Sequence, residues 1–302
     1  MARRKHGANI NGIVLLDKPV GISSNRALQK VRGMFQARKA GHTGSLDPFA
    51  TGMLPVCLGE ASKTAAFMLE AGKHYHATAR LGEATTTGDV EGEIIQNCEV
   101  AGFDSETIAE TLQKFVGEIM QVPPMYSALK HEGKPLYEYA RAGIVIERPA
   151  RAAVIHQLQL LEWQSPLLSF HVHCSKGTYI RTLAEDIAKA LGSCAHLVEL
   201  RRTLVEPFEN FPMQTLEQLQ EAKDNDKLSD ALLPVDAGLP GWPRVDVDAD
   251  QRGKFKHGQQ FPVQVDESYV GRVRVYGPEE ELLGLAEITP DGMLQPMRVF
   301  NL

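Results

Sequence analysis

The chain has 302 residues, 43% hydrophobic and 23% charged, with a formal net charge of −6. These proportions describe a globular protein with room for one large core and a small appended domain, and they exclude a disordered chain. No stretch approaches the roughly 18 apolar residues of a membrane helix, and the first apolar run, Ile13 to Leu16, is too short for a signal segment. A soluble, cytoplasmic protein is expected.

Ile13 to Leu16 reads as a strand, and "PVGISS" as a turn that leads to Ser23 or Ser24 as an N-cap. Ala27, Leu28, Val31, Met34 and Phe35 then recur at helical spacing. Charge is unevenly placed. Residues 1 to 40 hold nine basic side chains (Arg3, Arg4, Lys5, Lys18, Arg26, Lys30, Arg32, Arg38, Lys39) against Asp17 alone, a local +8 on an otherwise acidic body. Such a stretch is one electrostatic footprint for a phosphate backbone, and solvated helix charges are the plain alternative.

The run from Gly41 to Lys63, "GHTGSLDPFATGMLPVCLGEASK", sets Asp47 among glycine and proline. Pro48 biases Asp47 away from the α region, and the glycines free the backbone to carry an acid into a cleft. Asp-Pro is also a common turn. Gly59 is followed by Glu60, so no P-loop is present, and His42 is the only further ligand type close by, so a metal site finds no support. An acid working without metal, as nucleophile or general base, remains. It must be ionised, and a cation beside it keeps it so.

"HYHATARLG" alternates as a strand. Asp104 or Ser105 opens a helix with Ile108, Leu112, Phe115 and Val116 inward, expected to end at Gly117. Val122 to Glu147 then mixes prolines, tyrosines and basic residues, an excursion with the composition of a contact surface, or else one of packed tyrosines. In "HVHC", His171 and His173 share one strand face. Leu168, Phe170, Val172 and Cys174 alternate with them, so a half-buried strand is preferred to a pair of metal ligands.

Ile180, Leu183, Ala184, Ile187 and Leu191 mark the clearest helix, stopped by Gly192, and Arg181 stands at its start. A polar helix surrounds Leu216 to Ala222, and "PVDAGLPGWPR" reads as a domain boundary. Beyond it, "YVGRVRVYG", "ELLGLAEI" and "MRVF" are strands separated by Gly277-Pro278 and Asp291-Gly292, with Lys254, Lys256, His257, Arg272 and Arg274 as an expected basic side. Four scattered cysteines without a C-x-x-C suggest neither a disulfide framework nor a zinc knuckle.

Six blocks in order, "LLDKPVGISSN", the Asp47 run, "KHYHATARLG", "VPPMYSALKHEGKPLYEYAR", "HCSKGTYIRTLAEDI" and "HLVELRR", resemble the bacterial TruB family, the tRNA pseudouridine-55 synthases. The resemblance implies an α+β pseudouridine synthase fold. It has a mixed, mainly antiparallel central sheet flanked by helices (residues 1–243), with 122–147 as a mobile RNA-binding thumb. A small C-terminal PUA-like β domain occupies 244–302.

The implied activity is isomerisation of uridine 55 in the TΨC arm of tRNA, without cofactor, metal or obligate protein partner, by a monomer. By position, Asp47 is the nucleophile and Arg181 its ion-pair partner. Tyr75 stacks on the uracil and is a candidate to take the C5 proton. His42, Tyr179 and Leu200 line the uridine pocket, and Lys18 supports it. One departure is Thr85-Thr86-Thr87, where relatives often read Thr-Asp-Thr, with Asp89 kept. A non-catalytic tRNA-binding or RNA-folding chaperone is the alternative, and retention of Asp47 is the feature that separates the two.

Overall fold

The computed structural model describes residues 7–264 and 269–302, so Arg3, Arg4 and Lys5 of the basic stretch lie outside the described residues. Apolar residues at nearly every position make β1 (Gly12–Lys18) a strand covered on both faces. The Ser23 side chain caps α1 (Ser24–Met34) by accepting from the Arg26 N–H, and Ala27, Leu28 and Val31 turn inward. Next come β2 (Ala40–His42), β3 (Thr51–Leu58), the single-turn α2 (Ala65–Met68) and β4 (Lys73–Leu81). In β4 the alternation sends Tyr75, Ala77 and Ala79 to the core and His74 and His76 to the other face.

A small hairpin arm, β5 (Glu83–Thr85) and β6 (Ile94–Asn97), precedes α3 (Ser105–Gln113), which Asp104 caps through the Thr107 N–H. The α-helix ends at Gln113, short of the expected Gly117. From Lys114 to Val116 the amides bond three residues back, tightening the last turn until Gly117, at φ +106°, starts β7 (Gly117–Gln121).

The excursion holds a two-stranded hairpin, β8 (Lys130–His131) with β9 (Lys134–Pro135), and α4 (Leu136–Arg141), anchored by buried Leu136. The long β10 (Arg151–Gln164) and β11 (Leu167–Cys174) follow. In β11, Leu168, Phe170, Val172 and Cys174 are buried and the two histidines face away, as the alternation predicts. Then come α5 (Ile180–Ala190), β12 (Ala195–Val205) and α6 (Leu216–Asp224).

The main sheet has the order β1-β3-β12-β4-β11-β10-β7, with β2 on β3, and it is antiparallel except where β12 runs parallel to β3. That contact is close: a Cβ on Gly52 (φ +101°) would lie 2.2 Å from the Arg202 carbonyl oxygen. One core packs α3 and α5 on β4, β10, β11 and β12 around Phe170, Leu183 and Ile187. Removing a fully buried side chain such as Leu183 costs about 2–5 kcal/mol. A second core packs α1 and α6 on β1 and β3.

The C-terminal unit comprises β13 (Arg244–Asp246), α7 (Ala249–Lys256), β14 (Phe261–Pro262), β15 (Gly271–Tyr276), β16 (Leu282–Ile288) and β17 (Met293–Val299), in the order β13-β15-β16-β17-β14. It has its own core around Phe255, Phe261 and Val273. Leu285 and Phe300 join it to Ile13 and Leu15 of the larger unit.

Two expectations are corrected here. Arg272 and Arg274 share one face of β15, and that face meets the larger unit. Arg274 pairs with Asp236 at 2.8 Å, and Arg272 lies over the rings of Phe67 and Trp242 at 5.3 and 5.5 Å. Cys98 and Cys194, 96 residues apart, are disulfide-paired with Cα atoms 5.8 Å apart. Spacing alone carried no signal for this pair, because folding of the β5–β6 arm over the start of β12 creates it. Among the described residues no helix is long and apolar enough to cross a membrane.

Candidate active site

Asp47 sits in the turn between β2 and β3, and three ties hold that turn. Ser24, the first residue of α1, uses its hydroxyl twice: it accepts from the Leu46 N–H at 2.7 Å and donates to the Leu46 carbonyl at 3.0 Å. The Gly21 N–H donates to the Pro48 carbonyl at 2.8 Å. Lys18, at the end of β1 and 0% exposed, donates to the carbonyls of Pro19 and Ile22 at 2.8 Å and of Pro48 at 3.3 Å. Lys18 therefore sits behind the turn, not on the cavity wall.

Arg181 enters from the first turn of α5, 5% exposed. Its Nε is 3.0 Å from Asp47 Oδ2, and its Nη1 is 3.4 Å from Asp89 Oδ2. Nη1 and Nη2 also donate to the carbonyls of Thr87 and Tyr126, each at 2.7 Å. One buried guanidinium thus joins the Asp47 turn, the β5–β6 arm and the root of the excursion. Asp89 is fixed in turn by the Thr87 hydroxyl at 2.6 Å and the Glu91 N–H at 3.0 Å.

A cavity of about 290 Å³ opens beside this pair, at the small end for a ligand pocket. Asp47, Arg181, Tyr75, Tyr179 and Leu200 line it, together with Arg202. Tyr75 lies opposite Arg202 in the β4–β12 register, which places their side chains on one face. Tyr179 is the N-cap of α5, and Gln121 grips its backbone with both ends of its amide, at 3.0 and 3.2 Å. His42 lies outside this lining, on β2, and its buried Nδ1 has no hydrogen-bond partner among the described residues.

Charge in the site is finely opposed. Burial raises the Asp47 carboxyl above its ordinary range, Arg181 pulls it down, Asp89 pushes it up and Lys18 lowers it again. Asp47 keeps 39% of its side chain accessible, so it meets the cavity even though protein packs around it. Burial lowers Lys18 to about 8, and burial raises the Tyr75 phenol against the pull of Arg202.

Sequence reasoning named five of the lining residues, gave Asp89 no role beyond its being kept, and missed Arg202. Arg202 is 1% exposed and donates to the carbonyls of Met53 at 2.7 Å and Gly44 at 3.1 Å, fixing the turn from the far side. It stands in the quoted "HLVELRR" block, but nothing in that run separates it from its solvent-facing neighbour Arg201, which pairs with Asp17. Thr86, the departure noted in the sequence, accepts from the Glu93 N–H within the arm.

Chemically, the arrangement is an arginine-held carboxylate beside a tyrosine face in a pocket the size of a small ligand. Residues 32–180 match the TruB family pseudouridylate synthase N-terminal domain. Residues 181–240 match the tRNA pseudouridylate synthase B C-terminal domain, and 243–300 match the pseudouridine synthase II TruB C-terminal domain. The tRNA pseudouridine synthase B of Mannheimia succiniciproducens is 49% identical over 302 residues, covering 99% of each chain. That of Burkholderia mallei is 50% identical over 304 residues, covering 99% of this chain and 98% of its own. Among solved structures, a Cbf5-Nop10-Gar1 complex aligns with a TM-score of 0.72 at 26% identity, over 95% of this chain and 84% of that one.

Proposed function

The chain belongs to the TruB family of pseudouridine synthases, and from that premise we propose that it converts uridine 55 in the TΨC loop of tRNA to pseudouridine, with Asp47 as the nucleophile. The observation that carries this reading is the meeting of Asp47, Arg181 and Tyr75 in one cavity. A base inside a folded loop cannot reach a recessed carboxylate, so the uridine flips out at a cost of a few kcal/mol. The Tyr75 face replaces part of the lost stacking.

The reaction breaks the N1–C1′ bond and forms a C5–C1′ bond after the uracil turns. C5 loses its proton and N1 takes one up, so the product is an isomer and no cofactor is required. Asp47 must be ionised to act, and the Arg181 guanidinium supports that charge where water is partly excluded. Lys18 adds positive potential from behind the turn. Tyr179 and Leu200 shape the wall against the flipped nucleotide.

The Val122 to Glu147 excursion is the thumb that closes on the RNA arm, and Arg181 ties its root at Tyr126 to the site. The PUA-like C-terminal domain adds further contacts to the RNA. The enzyme works in the cytoplasm as a monomer, without an obligate protein partner. Carbodiimide labelling of pseudouridine followed by primer extension locates the product on an unmodified tRNA transcript. The reading requires one new stop, one nucleotide 3′ of position 55. A stop elsewhere, or several of equal strength, contradicts it.

A further inference from the structure

The face of the sheet that points away from the cavity carries a second group of chemistry-bearing side chains. His74 and His76 of β4, His171 and His173 of β11 and His156 of β10 all project there. Glu206, the residue after β12, reaches into the same group. Its Oε1 lies 3.1 Å from His173 Nε2 and 3.7 Å from His74 Nε2.

Two features make this more than a polar surface. Glu206 is oriented: the Gly72 N–H donates to Oε2 at 3.2 Å, and the Glu206 N–H donates to the Gly72 carbonyl at 3.1 Å, which leaves Oε1 aimed at both imidazoles. Gly72 is needed for that approach, since a Cβ there would lie 2.5 Å from Glu206 Oε2 and 2.9 Å from His173 Nε2. His74 is oriented as well. Its Nδ1 lies 3.3 Å from His171 Nε2, a contact that holds Nδ1 and leaves Nε2 facing Glu206.

We propose that His74, His173 and Glu206 form a binding site for a divalent transition-metal ion of the zinc class, on the sheet face opposite the catalytic cavity. Their ligand atoms all lie within 4.8 Å of one another. Tetrahedral bonds of about 2.0–2.1 Å place donors about 3.3 Å apart, so the two carboxylate–imidazole separations already bracket the required spacing. The two imidazoles are stacked, with centroids 4.0 Å apart and planes 9° from parallel, so the rings must turn out of that stack for both Nε2 lone pairs to meet one ion. Two imidazoles and a carboxylate suit zinc, with water in the fourth position, and disfavour magnesium or calcium.

The ion ties β4 and β11 to the exit of β12. His74 is the neighbour of Tyr75, whose side chain enters the cavity on the other face. The role is therefore structural: it stiffens the strand that presents the tyrosine.

The test is calorimetric titration of untagged, chelator-stripped, dialysed protein with zinc chloride. One equivalent is expected to bind, with affinity at least tenfold weaker in His173→Ala and in Glu206→Gln. His257→Ala, in the C-terminal unit, binds as wild type. Absence of saturable binding, or variants within tenfold of wild type, overturns the proposal. Imidazole NMR of the wild type gives an answer independent of any variant. Zinc is expected to shift the ring signals of His74 and His173 first, and earlier shifts at other histidines would overturn the assignment.

Discussion

Arg181 holds Asp47 at 3.0 Å through Nε, and the same guanidinium reaches Asp89 at 3.4 Å through Nη1. With two carbonyls also accepting from it, the side chain has its donors committed in a fixed fork. Lysine has neither the fork nor the number of directed donors. Arg181→Lys should fold and lose on the order of 10²-fold in kcat, the scale expected when a reacting group is displaced by about 1 Å. Arg181→Ala also strands the buried Asp89 and should lose about 3–5 kcal/mol of stability in urea denaturation. Near-wild-type turnover in Arg181→Lys would remove the fork from the account.

Asp47 carries a stability cost. Folding raises its pKa above 3.8, so the folded state binds more protons than the unfolded one through the window that starts there, and stability falls as pH climbs through it. Asp47→Asn removes that penalty while Arg181 keeps Asp89. The variant should melt no lower than wild type at pH 7, with any advantage shrinking towards pH 4. A clearly lower melting temperature at pH 7 would mean that Asp47 is chiefly a structural partner of Arg181.

Lys18 should set the alkaline limit. Its three carbonyl acceptors need three donors, and the neutral amine has two. Burial lowers its pKa to about 8, so kcat/KM should fall above about pH 8 as the ammonium is lost. Stability moves the other way. Between about 8 and 10.5 the unfolded chain binds more protons than the folded one, so this group's penalty is relieved as pH rises. Lys73, which lines the cavity and is also lowered to about 8, is the competing source. Lys18→Arg should move the limb upward and Lys73→Arg should leave it; the reverse pattern would reassign it.

RNA affinity should drop steeply with salt, and the responsible charges differ from those that strand composition suggests. Lys30 of α1 and Lys130 of the excursion are exposed, whereas Arg274 is consumed by Asp236. Lys30→Glu and Lys130→Glu should each reduce the slope of log affinity against log salt by about 1 or more, and Arg274→Gln should leave it unchanged. An unchanged slope in both lysine variants would place the RNA elsewhere.

Much of the fold was legible because its elements have clean periods. The 2-residue alternation of β4 and β11 and the helical spacing in α1 and α5 were read at nearly their observed bounds. Errors arose where tertiary contacts decide. The end of α3 depends on three i−3 bonds that no periodicity reveals, and Cys98 meets Cys194 only through the folding of an arm. The β15 arginines look like a basic face until Asp236 and Trp242 are placed beside them.

In the site, motif blocks located Asp47, Tyr75 and Arg181, since each stands in an unusual local run. Asp89 and Arg202 carry no local pattern for different reasons: Asp89 looks like an ordinary charge until its ion-pair partner Arg181, 92 residues away, is known, and Arg202 until the Gly44 and Met53 carbonyls it donates to are placed beside it. Burial of arginine and aspartate is itself rare, and it is the structural signal that exposes both.

The central claim is that Asp47 carries the isomerisation. Tritium release from C5-tritiated uridine in an unmodified tRNA transcript measures it directly, with wild type and Asp47→Asn compared at equal tRNA occupancy. Wild type is expected to release tritium over multiple turnovers and Asp47→Asn none above background, with tRNA binding retained by both. Release at comparable rates by the two proteins would contradict it, and so would absence of release from wild type that binds the transcript.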